Sequence, residues 1–175
     1  MSDQIFIRKS GKTFVILDNK QNPIRKKLKD VYFKFGIEEY NGNKILNIYI
    51  NRNNENYSNN EYNDVIDIYN YIKEVSKFAK DPFYAKRYKF EGKGFKYPLK
   101  KREEEGVKLV ILRTYLSRNV EITMKDLAGT IDTNYNITGY IADVELTIKT
   151  LWTTSTDMGV IIYVDSILLK KKYKS

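Results

Sequence analysis

A chain of 175 residues with 31 Lys and Arg against 22 Asp and Glu has a formal net charge of +9. That length suits one domain with a sizeable core, and that charge indicates a polyanionic partner. The absence of Cys and His excludes disulfides and thiolate chemistry and removes the usual metal ligand and general base, so we expect neither an enzyme nor a cofactor. Because no apolar run matches a bilayer span or a signal peptide, we expect a cytoplasmic protein without a membrane partner.

The first elements are short β-strands separated by polar segments. Residues 5–17 predict two strands about a turn, and residues 18–29, which are polar and basic, predict a loop. Residues 31–50 predict a hairpin, because two β-rich runs flank Asn41-Gly42. That pair favours the positive-φ turns of tight hairpins.

The middle of the chain changes from an Asn-rich segment to a helical pattern. Residues 51–63 have the composition of a surface loop insertion. From Asp64 the apolar residues recur at three- and four-residue steps, which predicts an amphipathic helix that ends before Asp81-Pro82. We expect Tyr69 on this helix to pack in the core.

A basic-aromatic segment, Phe83–Arg102, follows the helix. Cations that can neutralise phosphates alternate there with rings that can stack on unpaired bases, the two tools of single-strand binding. The alternative is a solvated basic loop whose rings fold into the core. The candidate nucleic-acid-binding residues of the segment are Lys86, Arg87, Tyr88, Lys89, Phe90, Lys93, Phe95, Lys96, Tyr97, Lys100, Lys101 and Arg102.

The remaining chain predicts strands at 107–116, 120–124, 141–152 and 160–169, with a loop at 129–140 and a frayed basic tail at 170–175. On the first of these strands Arg113 and Tyr115 alternate with apolar residues, so we expect both to point outward beside the basic-aromatic segment. They suit either phosphate contact and stacking or a structural cation–π pair. Trp152 and Tyr163 complete the candidate stacking residues.

Many strands and one good helix, without strand–helix alternation, predict a mainly β fold over residues 1–169. We expect a small closed antiparallel barrel of the OB type, with a β-sandwich as the alternative.

The C-terminal half resembles a known family. Residues 139–142 lead into a strand ending Leu151-Trp152, and Gly159 precedes a strand ending at residues 166–169. This pattern, with GKGFKYPLK and LVILRTYL upstream, is similar to OB-fold single-stranded-DNA-binding proteins of phages, large cytoplasmic DNA viruses and cytoplasmic linear plasmids. The resemblance covers Gly92 to Leu169 and implies binding without sequence preference and without catalysis.

These observations predict a sequence-nonspecific single-stranded-DNA-binding protein that protects single strands during DNA replication. Two alternatives stay open: an RNA-binding protein, and a non-enzymatic structural or assembly protein of a virus-like element. The sequence also leaves open whether the chain forms a homo-oligomer or binds replication proteins.

Overall fold

The computed structural model describes the backbone of residues 5–51, 59–104 and 107–172, and the side chains of residues 5–50, 64–103 and 110–172. The elements within these ranges are β1 (Phe6–Ser10), β2 (Thr13–Leu17), β3 (Ile24–Tyr32), β4 (Glu38–Tyr40), β5 (Asn43–Asn51), α1 (Asn59–Lys80), α2 (Pro82–Tyr88), β6 (Gly94–Lys96), β7 (Leu99–Glu104), β8 (Val107–Met124), β9 (Tyr140–Thr153) and β10 (Asp157–Lys172).

Five strands close into a ring in the order β3, β5, β8, β10, β9 and back to β3. The β3–β5 link consists of the single pair Tyr32 and Tyr49. Four pairings are antiparallel, whereas β8 and β10 run parallel. The ring confirms the mainly β, OB-like prediction and excludes a sandwich; the expectation of purely antiparallel pairing is wrong at β8–β10.

The ring encloses an apolar core to which α1 contributes one face. Alternate residues of β9 are buried as predicted: Ala142, Val144, Leu146 and Ile148. The helix packs against β3, and the residues it buries are Val65, Ile68, Ile72, Val75 and Ala79. In β10 a bulge between Val164 and Ser166 shifts the alternation, so that Ile167 and Leu169 are buried and Leu168 is half-buried. An unbroken alternation from Val164 would have placed Leu168 inside.

The N-terminal half differs most from the sequence prediction. The segment predicted as a loop at 18–29 contains most of β3, because Ile24 and Leu28 face the core between exposed cations. A bulge between Leu28 and Val31, with Asp30 at φ 57°, breaks the period-2 pattern by which a strand is recognised.

The Asn-Gly hairpin is confirmed, since Asn41 and Gly42 adopt φ values of 51° and 78° between β4 and β5. Its first arm is shorter than predicted, because β3 ends at Tyr32 and β4 begins only at Glu38. Phe35 lies in the segment between the two strands and is 44% exposed, although the predicted strand would have directed it to the core with Phe33.

Two other predicted boundaries change. The helix α1 begins at Asn59 instead of Asp64, so the last part of the predicted Asn-rich insertion is helical; residues 52–58 lie outside the described residues. The two strands predicted at 107–116 and 120–124 form the single strand β8.

The predicted basic tail is wrong for residues 170–172, which continue β10; residues 173–175 lie outside the described range. The Nζ of Lys170 lies 2.6 Å from Asp30 Oδ1 and 3.3 Å from Asp143 Oδ1, and Asp143 also accepts the Asp30 N–H. Lys170 therefore ties the β3 bulge to the last strand. The hydrogen bond to Asp30, opposed by burial and reinforced by Asp143, raises the pKa of Lys170.

We expect Lys170→Met to lower the free energy of unfolding by about 1 kcal/mol at neutral pH, because both carboxylates lose their partner. The folded state holds this proton more tightly than the unfolded state. The difference between wild type and variant is therefore full below about pH 10.5 and disappears as the pH rises through the higher pKa of the folded protein. Urea unfolding at neutral and alkaline pH measures it, with the exposed Lys171→Met as control. Equal stability of the two variants at neutral pH would contradict the prediction.

Candidate nucleic-acid interface

The basic-aromatic segment forms the helix α2 and the strands β6 and β7, and it is not the solvated loop of the alternative interpretation. The helix α2 begins with Pro82, and the Asp81 carboxylate caps it by accepting the Phe83 N–H at 3.0 Å. Lys89 ends the helix in the left-handed conformation, at φ 62°. The strands β6 and β7 then lead away from α2, so the cations of the segment divide between two regions of the surface.

Phe90 is a correction to the list of stacking residues. Its ring is 2% exposed and lies 5.0 Å from the Phe14 ring and 5.7 Å from the Tyr88 ring, measured between centroids. A base can stack only on an open face, so Phe90 is a core residue. Tyr88 is half-buried against Phe14, at 5.4 Å.

An open groove of about 660 Å³ lies between the β4–β5 hairpin, β7 and the outer face of β8. We call it the hairpin groove. The sequence-predicted residues that line it are Lys96, Tyr97, Lys100, Arg102, Arg113, Tyr115 and Trp152. The tertiary structure thus brings together residues from the basic-aromatic segment, from β8 and from the end of β9.

Strand pairing fixes Arg113 and Tyr115 on the outer face of β8. Their neighbours Leu112 and Thr114 are fully buried, which confirms the outward direction predicted from alternation. The Arg113 N–H donates to the Pro98 carbonyl at 2.8 Å. Because Pro98 immediately precedes β7, this hydrogen bond holds β8 beside the start of β7.

The Arg113 guanidinium lies close to two rings, the exposed Tyr40 and the half-buried Tyr115. Its Cζ is 5.8 Å from the Tyr115 centroid and 5.6 Å from the Tyr40 centroid, both within cation–π range. Tyr40 stands at the tip of the β4–β5 hairpin with 58% of its surface exposed. A cation flanked by accessible rings can contact a phosphate while the rings receive neighbouring bases.

Trp152 also lines the groove, and it lies beside the place where β6 joins the sheet. Lys96 of β6 pairs with Gly159 of β10, and a Cβ on Gly159 would lie 2.6 Å from Trp152 Cζ2 and 2.8 Å from the Lys96 carbonyl oxygen. Only glycine allows the indole and β6 to lie against β10 together.

One face of the Tyr97 ring packs against Tyr69, a residue that we expected in the core. The rings of Tyr69 and Tyr97 stack at 5.5 Å with an interplanar angle of 26°, and Tyr69 is 42% exposed. Phe95 meets Tyr97 edge-on at 5.1 Å and is half-buried against the core. Tyr97 therefore lines the groove as part of a supported aromatic stack, and Phe95 supports it.

The lining of the hairpin groove is predominantly cationic. Lys96, Lys100, Arg102 and Arg113 face two acids, Glu38 and Glu39. Within the described ranges no carboxylate forms an ion pair with Lys96, Lys100 or Arg113. An anion entering this groove would therefore meet three cations that no carboxylate of the described residues neutralises.

The other predicted residues lie outside the hairpin groove. Arg87, Tyr88 and Lys89 line a separate depression of about 490 Å³ with Arg8 and Lys9 of β1. The remaining cations do not line either space: Lys86 and Lys101 are exposed, and Lys93 donates to the Thr154 carbonyl. Tyr163 pairs in register with Tyr115 on the neighbouring strand.

Sequence reasoning missed the contribution of the β4–β5 hairpin. The lining residues that it supplies are Glu38, Glu39, Tyr40, Ile45, Asn47 and Tyr49. The alternation of β5, with Ile48 and Ile50 buried, could have placed Asn47 and Tyr49 outward. It could not have shown that Asn47 lies opposite Arg113, because that register joins strands far apart in sequence.

The described residues contain neither a metal-binding cluster nor a helix that could cross a membrane. No group of three or more Cys, His, Asp or Glu side chains is arranged to hold a metal ion. No helix in the described ranges combines the length and apolar character that crossing a bilayer requires.

Comparison with known proteins shows similarity in structure and none in sequence families. No protein-family model matches the chain, and no curated protein matches it. Two structures of the single-stranded DNA-binding protein from bacteriophage Enc34 align over 98% and 99% of this chain and 97% and 98% of theirs. One is a C-terminal truncation with a TM-score of 0.49 and 10% identity, and the other is a complex with ssDNA with a TM-score of 0.47 and 12% identity.

The gp2.5 protein, a single-stranded DNA binding protein encoded by bacteriophage T7, aligns with a TM-score of 0.53 and 10% sequence identity. The alignment covers 87% of this chain and 89% of gp2.5. Together with the strand order of the ring, this likeness shows that the chain has the mainly β, OB-like fold of a phage single-stranded-DNA-binding protein.

Proposed function

We propose that this protein binds single-stranded DNA in the hairpin groove, without sequence preference and without catalysis. The observation that carries the proposal is the convergence of cations with the rings of Tyr40, Tyr97, Tyr115 and Trp152 in one open groove. Cations attract any nucleic acid, but rings can receive only bases that are not paired. The combination favours single strands over duplexes.

The position of the groove supports the same function. OB folds bind oligonucleotides on the face of their second and third strands, between the loops that follow the first and fourth strands. In this ring β5 and β8 are the second and third strands, and β4 lies in the connection after the first strand, β3. The hairpin groove occupies this face. The structural likeness to gp2.5, a single-stranded DNA binding protein, also supports the proposal.

We also infer how the protein selects its ligand and what role it has in the cell. Stacking and phosphate contact use features that all nucleotides share, so we infer binding without sequence preference. A protein of this kind would protect single strands during DNA replication in the cytoplasm. RNA carries the same phosphates and stacking bases as DNA and differs from it by a 2′-hydroxyl. A comparison of the two affinities therefore decides whether DNA or RNA is the preferred ligand.

We expect tight binding of an oligothymidylate, weaker binding of a duplex of equal length, and a strong dependence on salt. Each phosphate neutralised on a single strand contributes about −0.7 to the slope of log affinity against log salt. Lys96, Lys100 and Arg113, which form no ion pair within the described ranges, therefore predict a slope of about −2.

Gel shifts with single-stranded DNA, duplex DNA and RNA, repeated at several salt concentrations, test the proposal. A slope near zero, or no single-strand binding, would remove it in favour of the structural or assembly protein. Tighter binding of RNA than of DNA of the same sequence would replace it with an RNA-binding function.

A further inference from the structure

A second open space of about 670 Å³ lies on the side of the ring and is lined by residues of β2, β3, β8, β9 and β10 and by Pro23. We call it the barrel-side groove. Its cations are Arg25, Lys26, Lys27 and Lys149, and its acids are Glu145 and Asp165. The balance of four cations against two acids is the same as in the hairpin groove.

The acids of the barrel-side groove are engaged with hydroxyl groups. Glu145 Oε2 accepts the Ser166 hydroxyl at 3.1 Å, and Asp165 accepts the Thr147 hydroxyl. Within the described ranges no carboxylate forms an ion pair with Arg25, Lys27 or Lys149. These cations therefore keep their charge available for an anionic ligand.

Lys26 differs from the other three cations because it is half-buried, whereas Arg25, Lys27 and Lys149 are exposed. Its Nζ lies 4.3 Å from the centroid of the Tyr71 ring on α1, so it already has a structural contact. We leave it out of the site.

A row of paired residues, of which Thr147 is buried, connects a residue of the hairpin groove with a residue of the barrel-side groove. Tyr115 of β8 pairs with Tyr163 of β10, Tyr163 pairs with Thr147 of β9, and Thr147 pairs with Arg25 of β3. Paired residues on neighbouring strands point to the same side of a sheet. The row begins in the hairpin groove and ends in the barrel-side groove. At about 4.8 Å per strand, its length is about 14 Å.

The middle of this row combines a ring with a cation. Lys149 occupies a bulge in β9, where Ile161 pairs with Thr150 and Ile162 pairs with Ile148. The bulge leaves Lys149 exposed, with its Nζ 5.7 Å from the centroid of the half-buried Tyr163 ring. Tyr163 and Lys149 thus form a second pair of a ring and a cation, like Tyr115 and Arg113. Lys149 also lines the barrel-side groove.

We propose that a single strand bound in the hairpin groove continues over Tyr163 into the barrel-side groove, where Arg25, Lys27 and Lys149 neutralise its phosphates. This proposal rests on the proposed function and extends it by a second subsite. It predicts that affinity keeps rising with strand length after the hairpin groove is full. Single OB folds occupy about 4 to 16 nucleotides, so a path over both grooves belongs to the longer part of that range.

The test compares wild type with the triple variant Arg25→Ala, Lys27→Ala and Lys149→Ala on oligothymidylates of about 4 to 16 nucleotides. Short oligonucleotides should bind both proteins equally. The longest should bind the variant about tenfold more weakly, and its salt slope should be less steep by about 2, because three phosphates are no longer neutralised. The matched control removes three exposed cations that line neither groove: Lys12, Lys20 and Lys125.

The outcomes separate this proposal from the proposed function. If wild type binds oligonucleotides and the triple variant matches it at every length, the subsite is wrong and the hairpin groove stands alone. The same conclusion follows if both triple variants lose affinity equally at every length, because total charge would then explain the loss. If wild type binds no oligonucleotide, the proposed function itself fails. Thermal unfolding of each variant confirms that the comparison is made on folded protein.

Discussion

Replacing Tyr115 and Trp152 together by Ala should weaken single-strand binding by about 2–6 kcal/mol, because each ring that stacks on a base contributes about 1–3 kcal/mol. Both residues line the hairpin groove from different strands, β8 and β9. Residual binding to duplex DNA should change little, since paired bases present no face to either ring. Fluorescence-anisotropy titrations of single-stranded and duplex oligonucleotides measure the two affinities.

The control for this experiment is Tyr135→Ala. Tyr135 is 41% exposed and lies outside the hairpin groove, so its loss removes an accessible ring without touching the site. Trp152 also packs against Gly159, so the double variant is compared by its folded fraction, from thermal unfolding. Unchanged single-strand affinity in a folded double variant would eliminate stacking at these rings and leave only electrostatic attraction.

We expect the second large effect, a loss of stability, from Gly159→Ala, which adds a single methyl group to the chain. A Cβ on Gly159 would lie 2.6 Å from the Trp152 ring and 2.8 Å from the Lys96 carbonyl oxygen, both closer than side-chain carbons approach other atoms. Gly159→Ala should therefore reduce the free energy of unfolding by about 3 kcal/mol. It should also weaken single-strand binding, because the clash displaces Trp152 and the strand that carries Lys96. Urea unfolding and anisotropy titration of the same variant measure both losses.

Combining Gly159→Ala with Trp152→Leu separates the two clashes. A smaller side chain at position 152 relieves the contact with the ring, whereas the contact with the backbone of β6 remains. We expect this double variant to recover part of the stability lost in Gly159→Ala but none of the affinity. A Gly159→Ala protein as stable as wild type would show that the indole and β6 do not share this surface.

Local sequence patterns predicted those elements whose structure depends on neighbours in the chain. The Asn41-Gly42 pair requires positive φ values that glycine and asparagine adopt easily, so it identified the hairpin. Alternation identified β9 because every second residue enters the core. The same logic failed at β3, where cations dominate the exposed positions and the Asp30 bulge interrupts the period. It also failed at Phe90, since no local pattern distinguishes a ring that enters the core from one that faces solvent.

The sequence by itself determined that a basic, aromatic-rich chain of β-strands carries Arg113 and Tyr115 outward beside a run of cations. Only the tertiary structure decided which of those cations share a groove with them. The ring closes through pairings such as β5 with β8 and β8 with β10, whose partners are separated by long stretches of chain. Those registers bring Tyr40 and Trp152 into one groove and direct Arg87 and Lys89 to another surface. The physical reason is that an outward direction follows from strand geometry, whereas proximity follows from which strands pair and where the core permits them to lie.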